Sequence, residues 1–159
     1  MDKRLLGIYL NDHLAGAAAA SEVASRSLHS NRHTALATDL QRLLNEIGED
    51  RASLESVMER LGVPRSPVKT TAGRLLGQAG RLKLNGRLLR YSPLSRLEEL
   101  EALVAGVETK KAMWVSLKRV RDQGVELGVD LDDLVARAQR QRRMLERRRL
   151  EAVAQAFEG

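Results

Sequence analysis

Cysteine is absent from the 159 residues, which excludes a disulfide framework, a thiolate metal site and a cysteine nucleophile. Aromatic residues are scarce: one Trp, one Phe and two Tyr. Such a composition favours helix over sheet, because strands concentrate aromatic and β-branched residues. No apolar run approaches the ~18 residues needed to cross a bilayer, and the N-terminus lacks the small-residue cleavage site of a secretory signal. These absences lead to the expectation of a cytoplasmic protein with no membrane span. The length suits a single domain, residues 1–159, large enough to bury a core.

What is present is a chain rich in Ala, Leu, Arg and Glu, all good helix formers. Arginine far outnumbers lysine, as in proteins from GC-rich bacterial genomes. Apolar residues recur at spacings of three and four, the mark of a helix with one buried face. Four such stretches are predicted, over about 3–30, 34–62, 93–123 and 130–157. The first carries Leu6, Leu10, Leu14, Ala17, Ala20, Ala24 and Leu28. The second carries Leu36, Leu40, Leu43, Ile47, Leu54, Val57 and Leu61, and Gly62 with Pro64 stops it. The third carries Leu97, Leu100, Val104, Val107, Trp114 and Leu117. Asp130 is placed to cap the fourth, with Asp132 and Asp133 at the positive end of its dipole. Its stripe of Leu134, Ala138, Leu145, Ala152 and Ala156 is the weakest. Each helix would be about 40 Å long at 1.5 Å per residue.

Between the second and third helices, residues 63–92 form the one long region without a continuous amphipathic pattern. Ser66-Pro67 reads as an N-cap followed by proline at the first helical position, so a short helix is expected over about 67–80. Gly73, Gly77 and Gly80 would give it a smooth face. Asn85-Gly86 signals a turn, either of a small hairpin or of an irregular loop. Ser92-Pro93 repeats the start signal. The glycines do not form a phosphate loop, since neither the Lys-Ser/Thr ending nor a preceding strand is present.

Two helical hairpins joined by a long second-to-third crossover with its own short helix resemble the ferritin-like superfamily. The resemblance covers most of the chain and rests on layout. It implies an all-α, antiparallel four-helix bundle. Iron-binding members place a Glu on each of two helices and a Glu-x-x-His motif on each of the other two. Here His13, His29 and His33 all fall in or beside the first helix, and none follows a glutamate by three. Glu46, Glu49, Glu98, Glu101 and Glu108 are available, the last followed three residues later by Lys111. Glu146 on the fourth helix is ringed by Arg140, Arg142, Arg143, Arg147, Arg148 and Arg149. A paired-iron centre needs carboxylates to balance its charge, so a complete di-iron site is not expected, and neither is a cofactor.

The inner stripes are nevertheless interrupted at His13, Asp50, Lys111, and Gln141 with Arg142. Helical rise brings these to one level to within about one turn. The expectation is an interior polar layer of His13, Asp50, Lys111 and Arg142, with Glu108 nearby. Its structural reading is a layer that fixes register. Its alternatives are a reduced metal site using His13, Asp50 and Glu108, or His13 as a base oriented by Asp50. A formal charge of +6 suggests a basic patch made of Arg74, Arg81, Lys83, Arg87 and Arg90 in the crossover with Arg142, Arg143, Arg147, Arg148 and Arg149. Such a patch would attract nucleic-acid backbone, anionic lipid or an acidic protein partner. The end of the fourth helix, Ala152, Val153, Ala156 and Phe157, offers a self-association surface. The reading that results is a non-enzymatic binding or structural module.

Overall fold

The computed structural model describes residues 2–66 and 91–158. The helix expected over 67–80 and the turn at Asn85-Gly86 lie outside them. All regular structure among the described residues is helical: α1 spans Lys3–Ser30, α2 Leu36–Arg60, α3 Pro93–Arg121 and α4 Leu131–Phe157.

Local chemistry sets the ends. Asp2 accepts from the Arg4 and Leu5 amides at 2.9 and 3.0 Å and caps α1. The polar run after α1 forms a turn in which the Thr34 hydroxyl donates to the Asn31 carbonyl at 2.9 Å and accepts from the Leu36 amide at 3.3 Å. The residue left to begin α2 is Ala35, which has no capping side chain, so α2 starts two residues beyond position 34. At its other end Gly62 turns into the left-handed region with φ +65°. Gly62 N–H then reaches Glu59 and Val63 N–H reaches Met58, at 3.0 and 2.8 Å, closing a Schellman motif. Ser92 caps α3 ahead of Pro93, and Asp130 caps α4 by accepting from the Asp132 and Asp133 amides at 3.0 Å.

Packing places α1 against α2 and α3, and α4 against α3 and α2, which is the arrangement of a bundle. Its apolar interior falls into two clusters. One gathers Leu10, Leu14, Leu54, Val57, Met58, Met113, Trp114, Leu117, Leu131 and Leu134. The other gathers Ala24, Leu36, Leu40, Leu43, Ile47, Leu100, Leu103, Val107, Ala138, Leu145 and Ala152. Burying each large side chain stabilises the fold by roughly 1.5–3 kcal/mol. Both α2 and α3 pass through both clusters, with Asp50 falling between Ile47 and Leu54 and Lys110 between Val107 and Met113. A polar layer therefore divides the core.

The end of α4 is used differently from expectation. Ala152 is buried, and Val153 and Ala156 pack on the second cluster. They help to fill the bundle even though the stripe of α4 is the weakest of the four. Of the four residues expected there, only Phe157 stands well out, at 68% exposure, with Leu150 about two turns earlier also exposed.

Candidate functional site

Asp50 anchors the polar layer at 3% exposure. A carboxylate so deep must be paired or bonded, since a bare charge in that setting costs several kcal/mol. Lys110 Nζ donates to its Oδ2 and Arg137 Nη1 donates to its Oδ1, the latter at 3.2 Å. Lys110 also donates to Gln141 Oε1 at 2.6 Å, and Gln141 Nε2 donates to Glu46 at 2.7 Å. Arg137 reaches outward to Glu49 at 2.8 Å. Three helices thus meet on one carboxylate, and each polar group finds a partner.

Two members of the expected layer are elsewhere. Lys111 and Arg142 lie outside it and together hold Glu108 on the surface. Lys111, bonded to Glu108, and the neighbouring Arg142 hold that carboxyl below the usual carboxylate range. The physical reason is a rotation of one residue, about 100° on a helix. Lys110 lies three residues after Val107 and four before Trp114, whereas Lys111 lies four after and three before. Gln141 and Arg142 share that ambiguity between Ala138 and Leu145. Periodicity admits either neighbour, and it is Lys110 that meets Asp50 while Lys111 meets Glu108. Arg137 was missed as well, because it sits beside the stripe and enters only through its long side chain.

His13 is half-buried and stacks edge-on to Tyr9, ring centroids 4.6 Å apart. Desolvation lowers its pKa, and the charge of Asp12 opposes that effect. No hydrogen bond joins it to Asp50 among the described residues, so the pair is not assembled as base and orienter. Both nevertheless line one cleft of about 640 Å³ bounded by α1, α2 and α3, which Lys110 and Trp114 also line. Among the described residues no group of three or more His, Asp or Glu is gathered closely enough to hold a metal ion. His13, Asp50 and Glu108 are not brought together.

A second polar cluster, invisible to periodicity, joins the end of α1 to the start of α3. Arg26 donates to buried Glu99 at 2.9 Å, Tyr91 donates to the same carboxylate at 3.1 Å, and Asn31 donates to Tyr91 at 2.6 Å. Arg96 donates to Asn31 at 2.7 Å. Burial, with the nearby Glu99 charge, pushes the Tyr91 phenol up. A lone Tyr before Ser92-Pro93 was the only hint in the sequence.

The basic patch divides in two. Arg74, Arg81, Lys83, Arg87 and Arg90 lie outside the described residues. On α4, Arg148 is held by Asp39 and Glu151, and also donates to the Ala35 carbonyl at 3.3 Å. Arg149 is held by Glu146, and Arg147 lies 3.8 Å from Asp39. With Arg142 on Glu108, only Arg143 of these five carries no ion pair among the described residues. Most of the α4 arginines are therefore fastened to carboxylates. Among the described residues no helix is long and apolar enough to cross a membrane. Compared with protein families, curated proteins and solved structures, the chain matches none.

Proposed function

We propose that the chain is an antiparallel, ferritin-like four-helix bundle that acts as a binding or structural module and not as an iron oxidase. The observation that carries this reading is Asp50, whose two oxygens are engaged by Lys110 and Arg137 at mid-bundle. A cation held by Asp50 would have to displace two protein cations already there. The antiparallel layout draws support from the sequence in which residues pair along the helices: Arg26 meets Glu99 while Tyr9 meets Ser116, and Asp39 meets Arg148 while Asp50 meets Arg137. The crossover draws support from its ends. Ser66 donates to Asn11 and Tyr91 accepts from Asn31, points on α1 separated by roughly 30 Å at helical rise.

The test is the metal content of untagged full-length protein, followed by iron titration under air. The expected result is metal far below one ion per chain and no acceleration of iron oxidation. An iron or manganese ion retained on each chain would overturn the reading and restore the reduced-ligand metal site. A second reading, nonspecific binding to nucleic-acid backbone, is favoured by one feature of charge. Residues 67–90 hold Lys69, Arg74, Arg81, Lys83, Arg87 and Arg90 and no acidic residue, which equals the whole formal +6.

A further inference from the structure

We infer that the outward face of α4 docks on the surface of an anionic lipid bilayer. The inference rests on the reading of the chain as a binding module and names its partner. Arg140, Arg143, Arg147, Leu150, Ala154 and Phe157 recur at spacings of three and four along α4, so they share one face. Arg140, Arg143 and Arg147 each follow a buried residue by two positions, about 200° of helix; those residues are Ala138, Gln141 and Leu145. The stripe therefore points away from the bundle, over about 25 Å at helical rise. Exposure agrees. Arg143 is exposed, and the side chains of Arg140 and Arg147, like Leu150 and Phe157, are each more than half exposed.

Charge on this face is of one sign. Arg143 carries no ion pair among the described residues, while Arg140 and Arg147 stand 3.9 and 3.8 Å from Asp133 and Asp39, at the outer limit of an ion pair. The flanking acids are already taken, Glu146 by Arg149 and Glu151 by Arg148. Residues 67–90 contain no acid that could neutralise the stripe. Three exposed guanidiniums so weakly partnered call for an anionic surface. The apolar end says which. Leu150 and Phe157 continue the line of the arginines, so a fitting partner offers negative charge and hydrocarbon together. A nucleic-acid backbone answers the arginines and leaves Phe157 in water. An anionic bilayer answers both, with phosphates at its surface and hydrocarbon a few ångströms beneath. The two chemistries are graded along α4, basic first and apolar last. That order suits a helix whose C-terminal end dips below the phosphates while its arginines stay level with them. Glu158 lies beyond the apolar end, far from the arginines. Docking of this kind needs no membrane-crossing helix.

The test is co-sedimentation of the full chain with vesicles of phosphatidylcholine alone, and of phosphatidylcholine with an equal part of phosphatidylglycerol. Binding is expected to the mixed vesicles, weakening with salt, and near absence on phosphatidylcholine alone. A basic residue at an anionic surface is worth about fivefold in partitioning. Changing Arg140, Arg143 and Arg147 together to Gln should therefore weaken binding roughly a hundredfold. Leu150→Ser with Phe157→Ser should weaken it about tenfold. All five positions are exposed, so both variants should keep the parent's helical circular dichroism. The chain has no cysteine, so Ala154→Cys and, as a control on α2, the exposed Ala52→Cys each take one environment-sensitive dye. Mixed vesicles should blue-shift the dye at position 154 and not at position 52. That shift should survive replacement of the six basic residues of 67–90 by Gln, and its loss there overturns α4 as the docking face. No binding, equal binding to both vesicles, or full binding by the arginine variant overturns the proposal. Full binding by the serine variant overturns the contact with hydrocarbon. An arginine variant that loses duplex DNA in place of vesicles gives the stripe to nucleic acid, and a dimer dissolved by the serine variant gives it to a second copy. Iron retained on each chain would instead defeat the module reading and leave the vesicle result to stand by itself.

Discussion

Among the described residues Asp50 has two cationic partners and Lys110 one anionic partner, and that inequality should be measurable. Replacing Asp50 by Leu strands the Lys110 ammonium, whose side chain is 16% exposed, with Gln141 alone. Removing one partner from a buried pair costs about 3–5 kcal/mol. Lys110→Met should cost less, about 1–3 kcal/mol, because Arg137 still holds Asp50. The double variant should recover to within about 2 kcal/mol of the parent, since no buried charge remains unpaired and Arg137 keeps Glu49. Denaturant unfolding of the three variants decides this, and equal destabilisation in both single variants would contradict the assigned network. His13 supplies a pH test. Burial lowers its folded pKa below the ordinary value near 6.5, so the unfolded chain takes up the proton first. Stability is therefore full above that value and falls as pH drops below it toward the folded pKa. His13→Phe keeps the ring against Tyr9 and should flatten this segment of the pH profile. The decline below about pH 4.5, where carboxylates such as Glu108 and Glu146 protonate, should remain. At this scale the sequence located Asp50 and the level of the layer, but His13 stands apart from its hydrogen bonds, against Tyr9. The sequence could not choose between Lys110 and Lys111, or between Gln141 and Arg142, because both members of each pair satisfy helical spacing.

Helix positions were more legible than single contacts, because an apolar stripe averages over many residues while a cap depends on a few. The stripes of α1 and α2 went inward as spacing indicated, and Gly62, Ser92 and Asp130 took the terminal roles their chemistry favours. The start of α2 lies at Leu36, after a turn in which Thr34 donates to the Asn31 carbonyl and accepts from the Leu36 amide. Glu99 was not readable as a buried residue, since an acid beside Leu100 is ordinarily solvated and only its partners Arg26 and Tyr91 make burial tolerable. Two substitutions test the terminal assignments by thermal or denaturant unfolding. Gly62→Ala forces a Cβ into left-handed backbone and should cost about 1–2 kcal/mol. Asp130→Ala removes the acceptor for two first-turn amides of α4 and should cost about 1 kcal/mol. Both effects should leave the Asp50 network intact, so combining either with Lys110→Met should give additive destabilisation.

Charge sorts itself differently at the level of the whole molecule than any single helix suggests. The basic residues of 67–90 account for the formal +6, so the remainder of the chain is balanced in sign. On α4 that balance is local, with Arg148, Arg149 and Arg142 each held by at least one carboxylate. Those arginines link α4 to its neighbours, because Asp39 lies on α2 and Glu108 on α3. The two basic groups should therefore respond oppositely to neutralisation. Arg148→Gln removes a largely covered partner from Asp39 and the bond to the Ala35 carbonyl, and should lower stability by about 1–3 kcal/mol. It should leave the salt dependence of binding to duplex DNA nearly unchanged. Replacing Lys69, Arg74, Arg81, Lys83, Arg87 and Arg90 by Gln should do the reverse. Each DNA phosphate that is no longer neutralised flattens the plot of log affinity against log salt by about 0.9, so engagement of most of the six would flatten it by several units. Fluorescence anisotropy with a labelled duplex over a salt series, paired with unfolding curves for each variant, separates the two roles. A DNA slope that tracks Arg148 and ignores the six residues of 67–90 would reverse the assignment and make α4 the interface.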